Sequence, residues 1–413
     1  MRVLLIGSYQ GPRLVKERNI LSNRSLAGSN KMHGICCALM ARGHEVAIAS
    51  VGRVAERTRR WFPAIDEEVR GYEGRPIPVW YMGAFDYRGI GNFVSWIELL
   101  RWLPRIFGQK PFDVAIPYNC NFDSVIASVY CRLARHCAVV LEHEDSALMD
   151  RSGSPPPWRR LRRFNEALIE RCATGIYGPS PELVQAMKVP NRLLLEGVVS
   201  EALARAAANR PEVALPGQRL NVLYSGGLAA DKGILPMLDA LDLLDRPIEV
   251  HISGTGHQAD EVRSRCARLH HPAFFHGLVS DDELVHLQTT ADICVNPHRV
   301  YWHRGLSWPF KVAEYLAACG VVVSANTGRM DNEVRERLYL YDQDEPRVIA
   351  DALRRVIDRW DHERTLAPER RRWAIARWGL GAVGQRLERL LLAALAPPCR
   401  ERKAGNQVMN AKG

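Results

Sequence analysis

The sequence has no C-x-x-C pair and no Cys/His spacing of the zinc-binding kind, although it holds 10 cysteines. Zinc ribbons and thioredoxin-type redox centres are thereby excluded. The scattered thiols, with Cys36 and Cys37 adjacent inside an apolar helical pattern, are expected to be reduced and mostly buried, as in a cytoplasmic protein. No apolar run is long enough to span a bilayer; the best candidate, "LERLLLAALAPP" (387–398), is broken by charge and proline. The opening "MRVLLIGS" is too short for a signal peptide. No internal repeat or low-complexity tract is present, and no RRM, KH or helix-turn-helix pattern points to nucleic acid. The segment after the first apolar run, "GSYQGPRL" (7–14), lacks the glycine spacing of a dinucleotide fold, which argues against an oxidoreductase. No D-x-D pattern for a divalent ion stands out.

What is present fits two α/β domains. A chain of 413 residues, 47% hydrophobic and 25% charged, has material for two cores. Its net charge of +10 favours an anionic partner such as a nucleotide, an anionic lipid surface or a nucleic acid, without choosing among them.

"RVLLIGS" (2–8) has the form of a buried parallel strand. A basic loop follows, then a helix, a stop at Gly43 and a second strand over 45–50, which makes a βαβ unit. "FDVAIPYN" (112–119) and "CAVVLEHED" (137–145) are further strands ending in polar side chains, where an open α/β sheet places its ligands. "PEVALPGQRL" (211–220) reads as a linker. A second series of strand, glycine turn and helix runs from Leu220, with capping-box spacing at Ser280 and Glu283. The expected division is 1–205, 217–375, a closing helix over 376–398 that returns to the first domain, and a disordered tail over 399–413.

Three segments of the second half carry candidate chemistry. In "YSGGLAADKG" (224–233), Gly226 and Gly227 let backbone N–H groups approach an anion, and Lys232 can reach the same charge; an ordinary tight turn with a solvated lysine fits equally. "ISGTGHQ" (252–258) places Gly254 and Gly256 at the next strand end, where turns needing positive φ also occur. In "SWPFKVAEYLAACG" (307–320) a helix start after Pro309 offers free N–H groups to a diphosphate. Glu314 there can accept two hydroxyl hydrogen bonds from a ribose, or pair with Lys311 on a wet face.

In this order, and with "FHGLVSDDELVHLQTTADICVNP" (275–297) between them, these segments resemble the donor-binding domain of GT-B glycosyltransferases, most closely glycosyltransferase family 4. The resemblance covers the C-terminal half almost continuously and the N-terminal half more loosely, through "GHEVAIAS" (43–50) and "HED" (143–145). It implies an α/β GT-B fold: two Rossmann-like, doubly wound parallel-sheet domains facing across a cleft. It also implies a retaining, metal-independent hexosyltransferase that moves a sugar from a nucleotide-sugar to an acceptor hydroxyl, in polysaccharide or glycoconjugate biosynthesis. The nucleotide-sugar is the donor substrate, and no cofactor is implied.

By the same resemblance Lys232 neutralises the donor diphosphate and Glu314, the second glutamate of the family's E-x7-E pattern, holds the ribose hydroxyls. Gly226, Gly227, Gly254, Gly256 and the "HGLV" loop ending at Val279 pass near the nucleotide. Phe310 and Lys311 lie in the segment that touches sugar and diphosphate. His143, Glu144 and Asp145 match a His-Asp-like pair near the acceptor, where they could orient a hydroxyl or take its proton; a helix N-cap by Asp145 or Ser146 with His143 half exposed fits equally. Two positions depart from the family: Gly227 replaces an arginine and Leu306 replaces the first glutamate; Arg299, His303 or Arg304 could supply the missing polar contacts, or hold ordinary surface roles.

A GT-B-fold nucleotide-sugar epimerase and a catalytically silent GT-B binding subunit remain compatible with this pattern. The loop over 7–30, with Gly7, Arg13, Lys16 and Arg18, is either a solvated loop or a cover for an anionic acceptor. Finally, "WIELLRWLPRIFGQK" (96–110) and "RRLRRFNEALIERCA" (159–173) mix arginines with large apolar residues. Each suits either peripheral contact with an anionic membrane, on the inner face, or an ordinary division of core and solvent.

Overall fold

The computed structural model describes residues 1–19, 26–54, 58–87, 90–146, 156–210, 219–300, 308–328 and 330–396. The disordered-tail expectation for 399–413 lies outside these residues, as do His303, Arg304, Leu306 and Ser307. Two compact units divide the chain: Met1–Leu195 with Leu380–Gly413, and Glu196–Gly379. The boundary lies ahead of the expected 205, because the helix following Ser200 packs with the second unit. The C-terminal helix belongs with the first.

In the first unit the strands are β1 (Arg2–Gly7), β2 (Glu45–Ser50), β3 (Trp61–Phe62), β4 (Ile65–Arg70), β5 (Pro76–Tyr81), β6 (Ala84–Phe85), β7 (Val114–Pro117), β8 (Ala138–Glu142), β9 (Gly175–Gly178) and β10 (Asn191–Leu194). Helices are α1 (Pro12–Glu17), α2 (Ala27–Ala41), α3 (Ile90–Gln109), α4 (Phe122–Val129), α5 (Pro156–Cys172) and α6 (Pro181–Gln185). Eight strands form one sheet in the order β10-β9-β8-β7-β1-β2-β5-β4, and β3 pairs with β6 apart from it. Pairing is parallel except where β4 returns against β5. The apolar run of β1 sits between β2 and β7 with both faces covered, as a central parallel strand requires. Leu4 and Ile6 face a cluster that also holds Leu99 and Leu103 of α3, Val125 of α4 and Ile169 of α5. Those three helices therefore cover one face of the sheet.

The second unit contains α7 (Glu201–Ala208), β11 (Leu220–Ser225), α8 (Ile234–Leu241), β12 (Ile248–Ser253), α9 (Ala259–Cys266), β13 (Ala273–Gly277), α10 (Asp281–Thr290), β14 (Ile293–Asn296), α11 (Lys311–Ala318), β15 (Val322–Ala325), α12 (Asn332–Arg335), β16 (Leu338–Tyr341), α13 (Pro346–Asp358) and α14 (Trp360–Trp378). The last helix of the chain, α15 (Leu380–Leu395), packs on α2 of the first unit, where Glu388 pairs with Arg42 at 2.8 Å. The second sheet is wholly parallel, in the order β13-β12-β11-β14-β15-β16. Ser280 caps α10 by accepting from the Glu283 N–H at 3.3 Å, as its spacing predicts.

Strand order reverses between β11 and β14 in the second sheet and between β1 and β7 in the first. Each reversal opens a crevice at the carboxyl ends of its strands, the usual ligand position in open α/β sheets.

Candidate active site

At the switch point of the second unit, the β11 and β12 turns are zipped together. Gly226 N donates to Ser253 O at 2.9 Å and Leu228 N to Thr255 O at 2.9 Å. Gly226 and Gly254 both have φ of 143°, a conformation that excludes most side chains. A Cβ on Gly254 would overlap the Gly226 carbonyl, and one on Gly256 would overlap the Leu228 carbonyl. These two glycines are thus required by backbone contact between turns, a packing demand their sequence context does not reveal. Gly227 differs: a Cβ there meets nothing within 4 Å.

Three basic side chains converge on this turn. Lys311, the first residue of α11, holds Nζ 4.1 Å from the centre of the Tyr224 ring. A Cβ on Gly226 would lie 2.5 Å from the same Nζ. Lys232 Nζ lies 2.7 Å from Asp231 Oδ2 and 3.2 Å from Nε2 of His298, which follows β14. Burial, then the charges of Lys232 and Lys311, push the His298 pKa down to about 3, so the imidazole is neutral and accepts from Lys232. Burial and the nearby Lys232 charge push Lys311 down to about 7. Such mutual repulsion between desolvated cations is relieved by an anion.

Glu314, one turn along α11, receives a side-chain hydrogen bond from buried Gln288. Burial raises its pKa to about 7 against the opposing pull of Lys311. Among the described residues no ion pair joins Lys311 to Glu314: one faces the Tyr224 ring, the other Gln288. The Phe310 side chain does not cap α11, and the Val312 and Ala313 N–H groups donate to the Pro309 and Phe310 carbonyls at 2.9 and 3.2 Å. Val279 is half-buried against the core. Arg299 is held by the Ala230 carbonyl at 3.2 Å and by Asp344 at 3.8 Å.

The reading that no D-x-D pattern stands out overlooks Asp342-Gln343-Asp344. Asp342 accepts from Asn326 Nδ2 at 2.6 Å, and Asp344 from Val300 N at 2.8 Å, so both carboxylates are tied to loop structure.

In the first unit a cavity of about 400 Å³ opens at the switch point, lined by Ser8, Tyr9, Ser29, Arg53, Asn119 and Asp145 among others. Of the three adjacent candidates 143–145, only Asp145 lines it. His143 is fully buried, with Nδ1 3.0 Å from the Leu183 carbonyl, and burial lowers its pKa. Glu144 is bound by Lys31, whose Nζ also lies 3.0 Å from Glu142. The polar triplet "HED" therefore divides into a core residue, a half-buried ion-pair partner and a cavity residue. Glu142 and Glu144, two residues apart, both reach Lys31, as alternation at the end of β8 places them.

Asn119, with φ of 61°, organises this edge. Its Oδ1 accepts from Glu144 N at 2.7 Å and Asp145 N at 2.9 Å, while its Nδ2 donates to Asp145 Oδ2 at 3.0 Å. Arg53 is paired with buried Asp123 at 2.6 Å. Within the loop over 7–30, Pro12–Glu17 is helical, with Arg13 paired to Glu17 at 2.7 Å. Arg18 is buried, donating to the carbonyls of Gly52, Pro63 and Met82. It is a structural residue rather than a cover for an acceptor.

Sequence reasoning missed His298, Tyr224, Lys31 and Asn119. The first two and the last stand at or just beyond strand ends, which is the signal that could have found them; Lys31 lies in an apolar helix and carries none.

Residues 206–373 match the family described as "Glycosyl transferases group 1". No curated protein matches the chain in sequence. Among solved structures, sucrose-phosphate synthase (tll1590) from Thermosynechococcus elongatus is similar at TM-score 0.68 and 16% identity, over 95% of this chain and 100% of that one. The Burkholderia xenovorans UDP-forming α,α-trehalose-phosphate synthase, in complex with glucose-6-phosphate, is similar at TM-score 0.65 and 12% identity, over 95% and 100%. Anabaena Alr3699/HepE in complex with UDP-glucose gives TM-score 0.62 and 14% identity, again over 95% and 100%. At these identities the likeness establishes the fold.

Proposed function

We propose that this chain, which has the GT-B fold and whose residues 206–373 match the glycosyl transferases group 1 family, is a glycosyltransferase that carries out a retaining transfer without a metal ion, from a nucleotide-sugar bound at the β11/β14 switch point. The observation that carries the proposal is the convergence of Lys232, His298 and Lys311 beside the Gly226 turn, at the start of α11. A diphosphate there receives charge from two lysines and meets the positive end of the α11 dipole, the stabilisation a departing nucleoside diphosphate needs. Glu314 takes the ribose hydroxyls. The acceptor, a saccharide or lipid-linked saccharide, presents its hydroxyl in the first unit's cavity, where Asp145 orients it. The glycoside product belongs to polysaccharide or glycoconjugate biosynthesis in the cytoplasm.

Nucleotide-sugar titration followed by turnover assays tests this reading. Lys232→Ala is expected to lower kcat by about 100-fold or more. Glu314→Ala should chiefly raise the donor Kd, by about tenfold, as expected for loss of charge-assisted hydrogen bonds. Activity at wild-type level in both variants overturns the assignment. Turnover lost on chelation and restored by a divalent ion overturns metal independence. An inverted anomeric centre in the product overturns retention.

A further inference from the structure

α3 carries apolar residues on both of its faces. Leu99, Leu103, Ile106 and Phe107 are buried under it, as an amphipathic helix requires. On the opposite side Ile90, Phe93, Ile97 and Leu100 are exposed, at 48, 58, 43 and 49%. Their spacing of three, four and three places them in one stripe along the helix. Pro104, also exposed, continues it. A soluble helix ordinarily sets polar residues there, and a contiguous exposed apolar stripe marks a contact surface.

The charges around the stripe have one sign. Arg101 and Arg105 flank it on the helical wheel, and both are exposed. α5, which flanks α4 on the same face of the sheet, exposes Leu161 and Phe164 among Arg160, Arg162 and Arg163. Between them the turn after α4 exposes Leu133 at 71%, with Arg132 and Arg135. The carboxylates of these elements are engaged within the fold. Glu98 is buried against Arg101 at 3.1 Å, Glu166 accepts from Ser146 at 2.9 Å, and Glu170 accepts from Lys188 N at 3.0 Å.

We propose that the outer face of α3 and α5 docks on an anionic lipid bilayer. The apolar residues enter the headgroup boundary and the arginines bind lipid phosphates. A second copy of the chain fits poorly, because isologous pairing of this face sets arginine against arginine. The contact is peripheral: among the described residues no helix is long and apolar enough to cross a membrane. It stands independently of the glycosyl-transfer reading, since none of these side chains lines either site.

The test is flotation of the full chain with vesicles of phosphatidylcholine alone or mixed with phosphatidylglycerol. Binding is expected to the mixed vesicles, weakly or not at all to the neutral ones, and to fall as salt is raised. Phe93→Glu with Ile97→Glu should lower apparent vesicle affinity by about tenfold or more, because two apolar anchors leave the bilayer. Arg160→Glu, Arg162→Glu and Arg163→Glu together should remove most of the salt-sensitive binding. All five positions are exposed, so an unchanged melting temperature and an unchanged shift on adding nucleotide-sugar verify that both folding and donor binding survive. Failure of the anionic vesicles to bind the wild-type chain overturns the proposal, as does binding indifferent to the Phe93/Ile97 changes. A concentration-dependent dimer that those changes abolish overturns it in favour of a second copy.

Discussion

Lys311 Nζ sits 4.1 Å from the centre of the Tyr224 ring rather than on the carboxylate of Glu314, three residues along the same helix. Separation leaves both charges without their simplest partner in a half-buried setting, and each is displaced towards neutrality, to about 7. The ring face attracts the cation but brings no counter-charge. An arrangement of this kind costs stability in the free protein and favours a ligand that is anionic beside the lysine and hydroxylated beside the glutamate.

The first prediction concerns that cost. Lys311→Met keeps the length of the side chain and removes the desolvated charge. The ligand-free variant should melt at or above the wild-type temperature at pH 6, while its affinity for a nucleotide-sugar falls by about tenfold or more. A lower melting temperature at that pH would mean that the lysine stabilises the fold.

Stability against pH should show both groups, with opposite signs. The folded pKa of Glu314 is raised from 4.5 to about 7, so the native state binds the extra proton and stability falls as pH rises from about 4.5 to 7. The folded pKa of Lys311 is lowered from 10.5 to about 7, so the unfolded state binds the extra proton and stability rises from about 7 to 10.5. The pair therefore contributes a minimum near neutral pH. Melting curves of Glu314→Gln should lose the acid-side slope and keep the alkaline one.

Much of this architecture is legible locally. A buried strand, a glycine turn and an amphipathic helix each occupy a few consecutive residues, so the alternation that makes β11, α8 and β12 is written in short windows. Lys232, Lys311 and Glu314 stand at a turn and a helix start, positions legible locally, but only the order of the segments gives them roles. His298 and Asn119 depend on which strand ends meet, and that is set by strand order rather than by neighbours in the chain. Lys31 was hidden more completely, because its partners Glu142 and Glu144 lie more than a hundred residues away and its own surroundings are apolar. His143 misled for the converse reason: a polar residue at a strand end reads as a ligand contact, yet its ring points into the core.

Asn119 should control the acceptor side alone. Its side chain accepts from two backbone N–H groups and donates to Asp145, so Asn119→Ala leaves three part-buried polar groups without that partner. Water can take up these groups, but Asp145 loses the contacts that fix its orientation. The acceptor KM is expected to rise with kcat falling, while donor affinity measured by titration stays unchanged. A matching loss of donor affinity would assign Asn119 a general structural role.

The two turn glycines that look alike in sequence should respond differently to alanine. Gly254→Ala places a methyl group on the Gly226 carbonyl and requires φ near 143°. It should destabilise the second unit by about 3 kcal/mol or more, read by chemical unfolding. Gly227→Ala meets open space and should shift stability by less than about 1 kcal/mol.

Gly227 also permits a gain of function. The position faces no atom within 4 Å and its backbone does not lie in the left-handed region, so a long side chain can be carried there without strain. An arginine at this turn would stand beside Lys232 and present a planar fork of donors to a diphosphate, the geometry for which guanidinium groups are suited. In the ligand-free protein it adds a third cation to a group already short of negative charge, so Gly227→Arg should lower the melting temperature slightly at low salt. With a nucleotide-sugar bound the added charge is neutralised, and donor affinity should rise by about fivefold to tenfold, consistent with one charge-assisted hydrogen bond. The increase should shrink as salt is raised. Unchanged affinity at low salt would place the diphosphate away from this turn, and the assignment of Lys232 would fail with it.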